Sequence, residues 1–326
     1  MKTAIVKEII SEDGVDQRID NFLFKRFRNV PKSHIYQMLR SGQVRVNGKR
    51  IDFHYRLALG DLVRIPPIMI PAANTTRQQV IPKIRHISFR IIFEDEALLV
   101  VDKPAGVAVH GGSGISFGVI EQLRAQHPGM KFLELVHRLD RETSGVLLLA
   151  KKRSALVTLH QQIRSGDMEK HYQVLVKGKW FNTRQHVKLP LIKYVTREGE
   201  RRVTVASSKF KGENFSACRE MDSHTIFTLL HAWQDYSLLG AELKTGRTHQ
   251  IRVHLAYLGY PIIGDSKYGD FIVNRHLSSS RNKIRLERMF LHAGSMSIKH
   301  PLSGQPLKLT APLPDDLQNF VNHLDG

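Results

Sequence analysis

His137-Arg138-Leu139-Asp140-Arg141-Glu142-Thr143-Ser144-Gly145 runs directly into Val146-Leu147-Leu148-Leu149-Ala150. The second half carries no polar side chain and has the length of a strand, so it reads as a β-strand buried on both faces. The first half is polar and ends in Thr, Ser and Gly, so it reads as a loop. Asp140, an acid between two arginines, therefore lies on a loop tied to a rigid element. A carboxylate in that setting suits a nucleophile or an electrostatic stabiliser.

Working outward, apolar or alternating runs at 98–101, 172–176, 226–230 and 238–243 read as further strands. Residues 153–163 and 314–324 read as helices, as do 248–258, where Ile251, Leu255 and Leu258 share a face and Gly259 supplies a stop. Glu94, Asp95 and Glu96 read as a turn between apolar strands rather than a carboxylate pair. Strands outnumber helices and do not alternate strictly with them. The expected class is α+β, with a mixed, largely antiparallel central sheet flanked by helices around a cleft.

A separate compact unit is expected over residues 16–66. Ile19, Phe22, Leu23 and Phe27 share a helical face, with Asp16 as a candidate N-cap. Pro31-Lys32-Ser33 opens a second short helix. Val44-Arg45-Val46-Asn47-Gly48-Lys49-Arg50-Ile51 is a hairpin, because Asn-Gly supplies the positive φ angles of a tight turn. Residues 67–82 are rich in Pro and polar side chains and read as a linker, leaving 83–326 as the larger domain.

The chain has 326 residues, 49 Lys and Arg against 30 Asp and Glu, and a formal charge of +19. Such an excess points to a polyanionic partner. No apolar run approaches a membrane span, and no basic amphipathic segment points to a membrane surface. Many of the cations crowd residues 16–66, including Arg26, Lys32, Arg40, Arg45 and Lys49. They are expected to contact phosphates, and the unit resembles an S4 RNA-binding domain. The single cysteine, Cys218, excludes an intrachain disulfide and any Cys-based zinc cluster, and reads as a small structural residue. The first ten residues lack a signal-peptide core, so a cytoplasmic setting is expected.

Familiar cofactor sites are missing. There is no P-loop, no dinucleotide fingerprint and no His-Glu-x-x-His. His249 and His254 fall on different faces of their helix, so a shared metal is not expected. The Gly111-Gly112-Ser113-Gly114 loop is a weak phosphate cradle at most.

Chemistry is carried by an ordered series: Val101-Asp102-Lys103-Pro104-Ala105-Gly106; His137 to Gly145; Glu169-Lys170-His171-Tyr172; Thr245-Gly246-Arg247-Thr248-His249-Gln250-Ile251-Arg252; Pro261-Ile262-Ile263-Gly264-Asp265 with Lys267-Tyr268-Gly269; and Leu291-His292-Ala293. This series resembles the RluA family of pseudouridine synthases over nearly the whole chain. The basic N-terminal unit adds a resemblance to members that act on large-subunit ribosomal RNA.

The resemblance implies isomerisation of uridine in RNA. The N1–C1′ bond breaks and a C5–C1′ bond forms, with no cofactor and no metal. It makes Asp140 the catalytic aspartate, acting either by attack on C1′ or through a C1′-deprotonated glycal. It makes Arg252 the partner that aims Asp140, where residue type alone would give a surface cation on an amphipathic helix. Tyr172 becomes the ring under the base, with a hydroxyl placed for the C5 proton. Leu291 becomes an apolar pocket wall, and Arg138 the side chain that fills the RNA stack when the uridine is extruded. Asp102, Lys103, His137 and Arg141 are expected framework or phosphate contacts, Lys103 and Arg141 on the RNA side of that choice, and Arg247 and His249 are expected RNA contacts. A monomer bound to ribosomal RNA is expected.

Three rivals stand beside this reading. A synthase acting on tRNA or another RNA would carry the same motifs. A non-enzymatic RNA-binding or ribosome-assembly protein would explain the charge but not the series. A nucleic-acid hydrolase of glycosidase type would want two carboxylates flanking the bond, and only Asp140 has the expected setting.

Overall fold

The computed structural model describes residues 4–27, 30–68, 87–111, 117–196, 199–206, 219–279 and 285–324. The residues read as a linker beyond 68, the glycine-rich loop from 112 to 116 and Cys218 lie outside the described residues.

The N-terminal elements are β1 (Val6–Ile9), α1 (Ile19–Arg26), α2 (Lys32–Arg40), β2 (Arg45–Val46), β3 (Lys49–Arg50) and β4 (Leu62–Ile65). Their strands form a sheet of order β1-β4-β2-β3. Asn47 (φ 50°) and Gly48 (φ 76°) make the turn between β2 and β3, as the Asn-Gly pair requires. Ile19, Leu23, Ile35 and Leu39 pack with Val63 and Ile65 in a core of their own. The cations Arg26, Lys32, Arg40, Arg45 and Lys49 are all exposed around it. The cap assigned to Asp16 is corrected: α1 is capped at Arg18. Asp16 instead has φ 59° and donates its backbone N–H to the Leu57 carbonyl at 2.8 Å. That tertiary strand-like pairing, which no local rule reports, displaces it from the helix start.

The larger part begins with β5 (Arg90–Glu94), β6 (Leu98–Lys103), α3 (Val119–Gln126), β7 (Glu134–Leu135), β8 (Ser144–Ala150), α4 (Arg153–Ser165) and β9 (Glu169–Lys177). It continues with β10 (Arg184–Val187), β11 (Leu191–Val195), β12 (Arg201–Val205), β13 (Thr225–Ala232) and β14 (Tyr236–Leu243). It ends with α5 (Gln250–Tyr257), α6 (Phe271–Leu277), β15 (Leu291–Lys299), β16 (Pro306–Thr310) and α7 (Asp315–Leu324). Its main sheet runs β10-β13-β14-β9-β15-β8-β6-β5, with β16 added to β15 and β7 to β8. Among the described residues β8 and β15 pair in parallel and the other ladders of this sheet are antiparallel. The fold is α+β.

Alternation along β6 and β8 divides the core in two. Leu99, Val101, Leu147 and Leu149 point to the face covered by α3 and α5. Leu98, Val100, Leu148 and Ala150 point to the face covered by α4. A strand with both faces covered must be apolar at every position, which is why 146–150 carries no polar side chain. Gly145, second in β8, lies opposite Ala293 of β15, with φ 110°. A Cβ there would run into the Ala293 carbonyl, so only glycine lets the two strands meet at this point.

The segment from Phe271 starts as helix α6. The Asp270 carboxylate caps it, accepting from the N–H groups of Ile272 and Val273.

Candidate active site

Asp140 sits in the turn that delivers the chain into β8, where the Thr143 N–H donates to the Asp140 carbonyl at 3.1 Å. Pairing of His292 with Ser144 brings the start of β15, and with it Leu291, to the same end of the sheet. Helix α5 lies over this end. Six of its eight residues are buried, the polar Gln250, Arg252 and His254 among them. Buried polar groups need partners, and each of these has them. Gln250 donates to the His224 carbonyl and the Thr225 hydroxyl. His254 bonds the Ser223 and Thr225 hydroxyls. Arg252 takes two carboxylates.

The two are Asp265 and Asp140. Arg252 Nε donates to Asp265 Oδ2 at 2.7 Å and Nη2 donates to Oδ1 at 2.8 Å. Its remaining nitrogen, Nη1, donates to Asp140 Oδ2 at 3.0 Å. Arg252 is 5% exposed and Asp265 0%, while Asp140 is 27% exposed and faces the cleft. Burial disfavours the Arg252 charge, but the hydrogen bonds and charges of Asp265 and Asp140 outweigh it and raise the pKa. Burial would likewise push Asp265 up, and the Arg252 contact overcomes it and holds Asp265 low. Asp265 is further fixed by the N–H groups of Lys267 and Tyr268.

Tyr172 comes from the central strand β9 and is 8% exposed, on the face that α5 covers. It lines the cleft together with Asp140, Arg252 and Leu291. Burial, helped by the Asp140 charge, raises its phenol pKa, so the hydroxyl keeps its proton. His249 caps α5 with φ 55° and places Nε2 3.8 Å from Asp140 Oδ2. Burial lowers its pKa; Asp140 opposes this and Arg252 reinforces it.

The cleft encloses about 740 Å³. Arg138, Arg141, Arg164, Lys170, Arg247 and Arg252 line it, and Asp140 is the one acid among its described lining residues. A cavity this basic favours a polyanion.

A family of RNA pseudouridylate synthases matches residues 97–257, and an S4 domain matches residues 17–63. The chain is 45% identical to "Ribosomal large subunit pseudouridine synthase C" of Pasteurella multocida, over 97% of this chain and 92% of that one. It is also 45% identical to the protein of that name in Escherichia coli (strain K12), over 97% and 95%. The chain belongs to the RNA pseudouridine synthase family. A solved structure, "Human RNA Pseudouridylate Synthase Domain Containing 4", shares the fold of this synthase with a TM-score of 0.56, at 23% identity over 72% of this chain and 93% of that one.

The structure of the synthase gathers most residues singled out from sequence. Asp140, Tyr172, Arg252, Leu291, Arg138, Arg141, Arg247 and His249 all line one cleft. Lys103 does not, and its expected RNA contact is corrected. It is 0% exposed, and its ammonium donates to the carbonyls of Pro104, Val107 and Arg141. All three donors are used internally, so it holds the 104–107 turn against the Asp140 loop. The surface reading of Arg252 also fails, because α5 is buried nearly all round.

Two further residues, Asp265 and Tyr268, hold the site together, and their motifs alone give neither of them a role. Asp265 ends an apolar Pro-Ile-Ile-Gly run, a place where an acid is buried and needs a cation. Tyr268 accepts a hydrogen bond from the Val203 N–H, meets His249 Nδ1 at 2.9 Å, and has Arg252 over its ring at 5.1 Å. Nothing in its sequence neighbourhood marks that contact.

Proposed function

We propose that this synthase converts particular uridines of large-subunit ribosomal RNA to pseudouridine, as a cytoplasmic monomer. Its relatives over nearly the full length bear that substrate in their names. The observation that carries the residue roles is Arg252, anchored on Asp265 and presenting its free edge to Asp140 inside a basic cleft. All of these groups come from one chain, which supports the monomer.

A uridine within an RNA helix cannot present C1′ and C5 to a pocket, so it must be extruded, at a cost of a few kcal/mol, roughly. Arg138, exposed at the rim, stacks in its place. Asp140 acts at C1′ as the N1–C1′ bond breaks. The base turns on the Tyr172 ring and C5 bonds to C1′. The C5 proton leaves and N1 gains one, so atoms and charge balance without a redox partner. Because the Tyr172 hydroxyl keeps its proton, it relays a proton rather than standing ready as a phenolate. The exposed cations of residues 17–63 hold the surrounding RNA.

The test is a map of pseudouridines in large-subunit RNA from cells with and without the gene, and with Asp140→Asn in its place. Specific sites should vanish in the deletion and stay unmodified with Asp140→Asn, while the variant still binds RNA. Unchanged maps would refute the substrate. Normal modification by the variant would refute the role of Asp140.

A further inference from the structure

Lys103, Lys170 and Arg252 are the buried cations among the described residues. Lys103 gives hydrogen bonds to three carbonyls and Arg252 to two carboxylates. The ammonium of Lys170, a residue 9% exposed, has neither a hydrogen bond nor an ion pair among the described residues. The Lys170 stem is buried while the charged head reaches the cleft, so the charge is presented to whatever enters. Its pKa is lowered by burial alone, with no carboxylate to offset it.

The Lys170 side chain lines the cleft beside Tyr172. Both belong to β9 and are buried on the same side of the strand, two residues apart. That spacing sets their Cα atoms about 6.6 Å apart, comparable to the reach from a nucleotide's sugar to its phosphate. Gly246 lies beside the ammonium: a Cβ added there would make ordinary contact with Nζ at 3.7 Å. An ammonium offers three donors and accepts nothing. In a cleft whose one acid is already paired with Arg252, the missing partner is an anion brought by the substrate.

We propose that Lys170 binds a backbone phosphate flanking the target uridine, holding the extruded nucleotide so that its base lies on Tyr172. This rests on the RNA reading above and adds a substrate contact to it. The contact would form only when the nucleotide leaves the helix, so Lys170 selects the extruded state.

The experiment uses the full chain and a hairpin RNA spanning a uridine that the wild type modifies. Lys170→Met should raise KM roughly ten- to hundred-fold, the loss of one hydrogen bond to a charged group, with kcat nearly unchanged. The slope of log affinity against log salt should become shallower by about 0.7 to 0.9, one phosphate contact. Lys170→Arg should restore that slope. A neutral methylphosphonate at one of the two flanking phosphates should weaken the wild type equally and cost Lys170→Met nothing more. If the methionine variant does not fold, Lys170→Gln replaces it in the same comparison.

Equal losses in both proteins from a methylphosphonate at either position would overturn the proposal, as would a kcat defect at unchanged KM. If the wild type forms no pseudouridine in any large-subunit RNA, the functional reading itself fails. A working wild type with an indistinguishable Lys170→Met sinks only the phosphate site.

Discussion

Arg252 meets Asp265 fork to fork, with Nε and Nη2 on the two carboxylate oxygens at 2.7 and 2.8 Å. A planar guanidinium held at two points cannot rotate, so the position of Nη1 beside Asp140 is decided by an acid that never reaches the cleft. Asp265→Asn keeps the shape and removes the charge. Breaking a buried pair by neutralising one partner costs about 3–5 kcal/mol, which a urea midpoint would register. Turnover should fall about 10²-fold, the scale of an ångström-size misplacement, with RNA binding retained. Turnover at the wild-type rate would mean that Arg252 aims itself.

Tyr172 separates into a ring and a hydroxyl. Tyr172→Phe keeps the stacking face and removes the group that handles the C5 proton. Single-turnover rates should drop by about 10²- to 10⁴-fold, the usual weight of a positioned acid or base, while RNA affinity stays. Tyr172→Leu should in addition weaken binding. A phenylalanine variant with full activity would leave the hydroxyl without a role.

How far the site could be read beforehand depended on the range of each signal. The buried strand at 146–150 and the turn at Asn47-Gly48 are local: composition at those positions has one stable outcome. Asp140 with Arg252 was legible only through the motif series, since 112 residues separate the pair. Lys103 went the other way. A lysine next to a proline and glycine turn looks exposed, and nothing local shows three carbonyls converging on it. Asp16 was misplaced for the same reason, because its backbone partner is Leu57. The Tyr268 contact with Val203 depends on a separate two-stranded sheet, β11 with β12, that sequence pattern did not single out.

His137 should make the protein sensitive to mild acid. Its Nε2 accepts a hydrogen bond from the Leu148 N–H at 3.1 Å, which requires the neutral ring. Burial, aided by the Lys170 charge, pulls its pKa down to about 3. The unfolded chain titrates near 6.5. Between those values the unfolded state binds a proton that the folded state refuses, so stability is full above about pH 6.5 and declines toward pH 3. The slope is about 1.4 kcal/mol per pH unit for one proton. His137→Gln keeps an acceptor but does not titrate. Urea melts from pH 7 to pH 4 should therefore show a flatter decline in the variant, and parallel curves would remove His137 as the cause.

The exposed hairpin of the N-terminal unit should hold RNA without taking part in the chemistry. Arg45, Lys49 and Arg50 project from β2 and β3, and carboxylate partners are not found for them among the described residues. Arg45 donates to the Gly42 and Gly48 carbonyls and Arg50 to the Arg40 carbonyl, which leaves their charge unneutralised, and such cations release counterions when they meet phosphate. Replacing all three by alanine in the full chain should make the log affinity against log salt slope shallower by about 2 to 3 on duplex RNA, if each neutralises one phosphate at roughly 0.9. The affinity loss should be largest at low salt and fade as salt rises. The single-turnover rate at saturating RNA should hold, because Asp140, Tyr172 and Arg252 are untouched. An unchanged slope would assign RNA holding to the cleft alone, and a lower saturated rate would show that the N-terminal unit also shapes the extruded nucleotide.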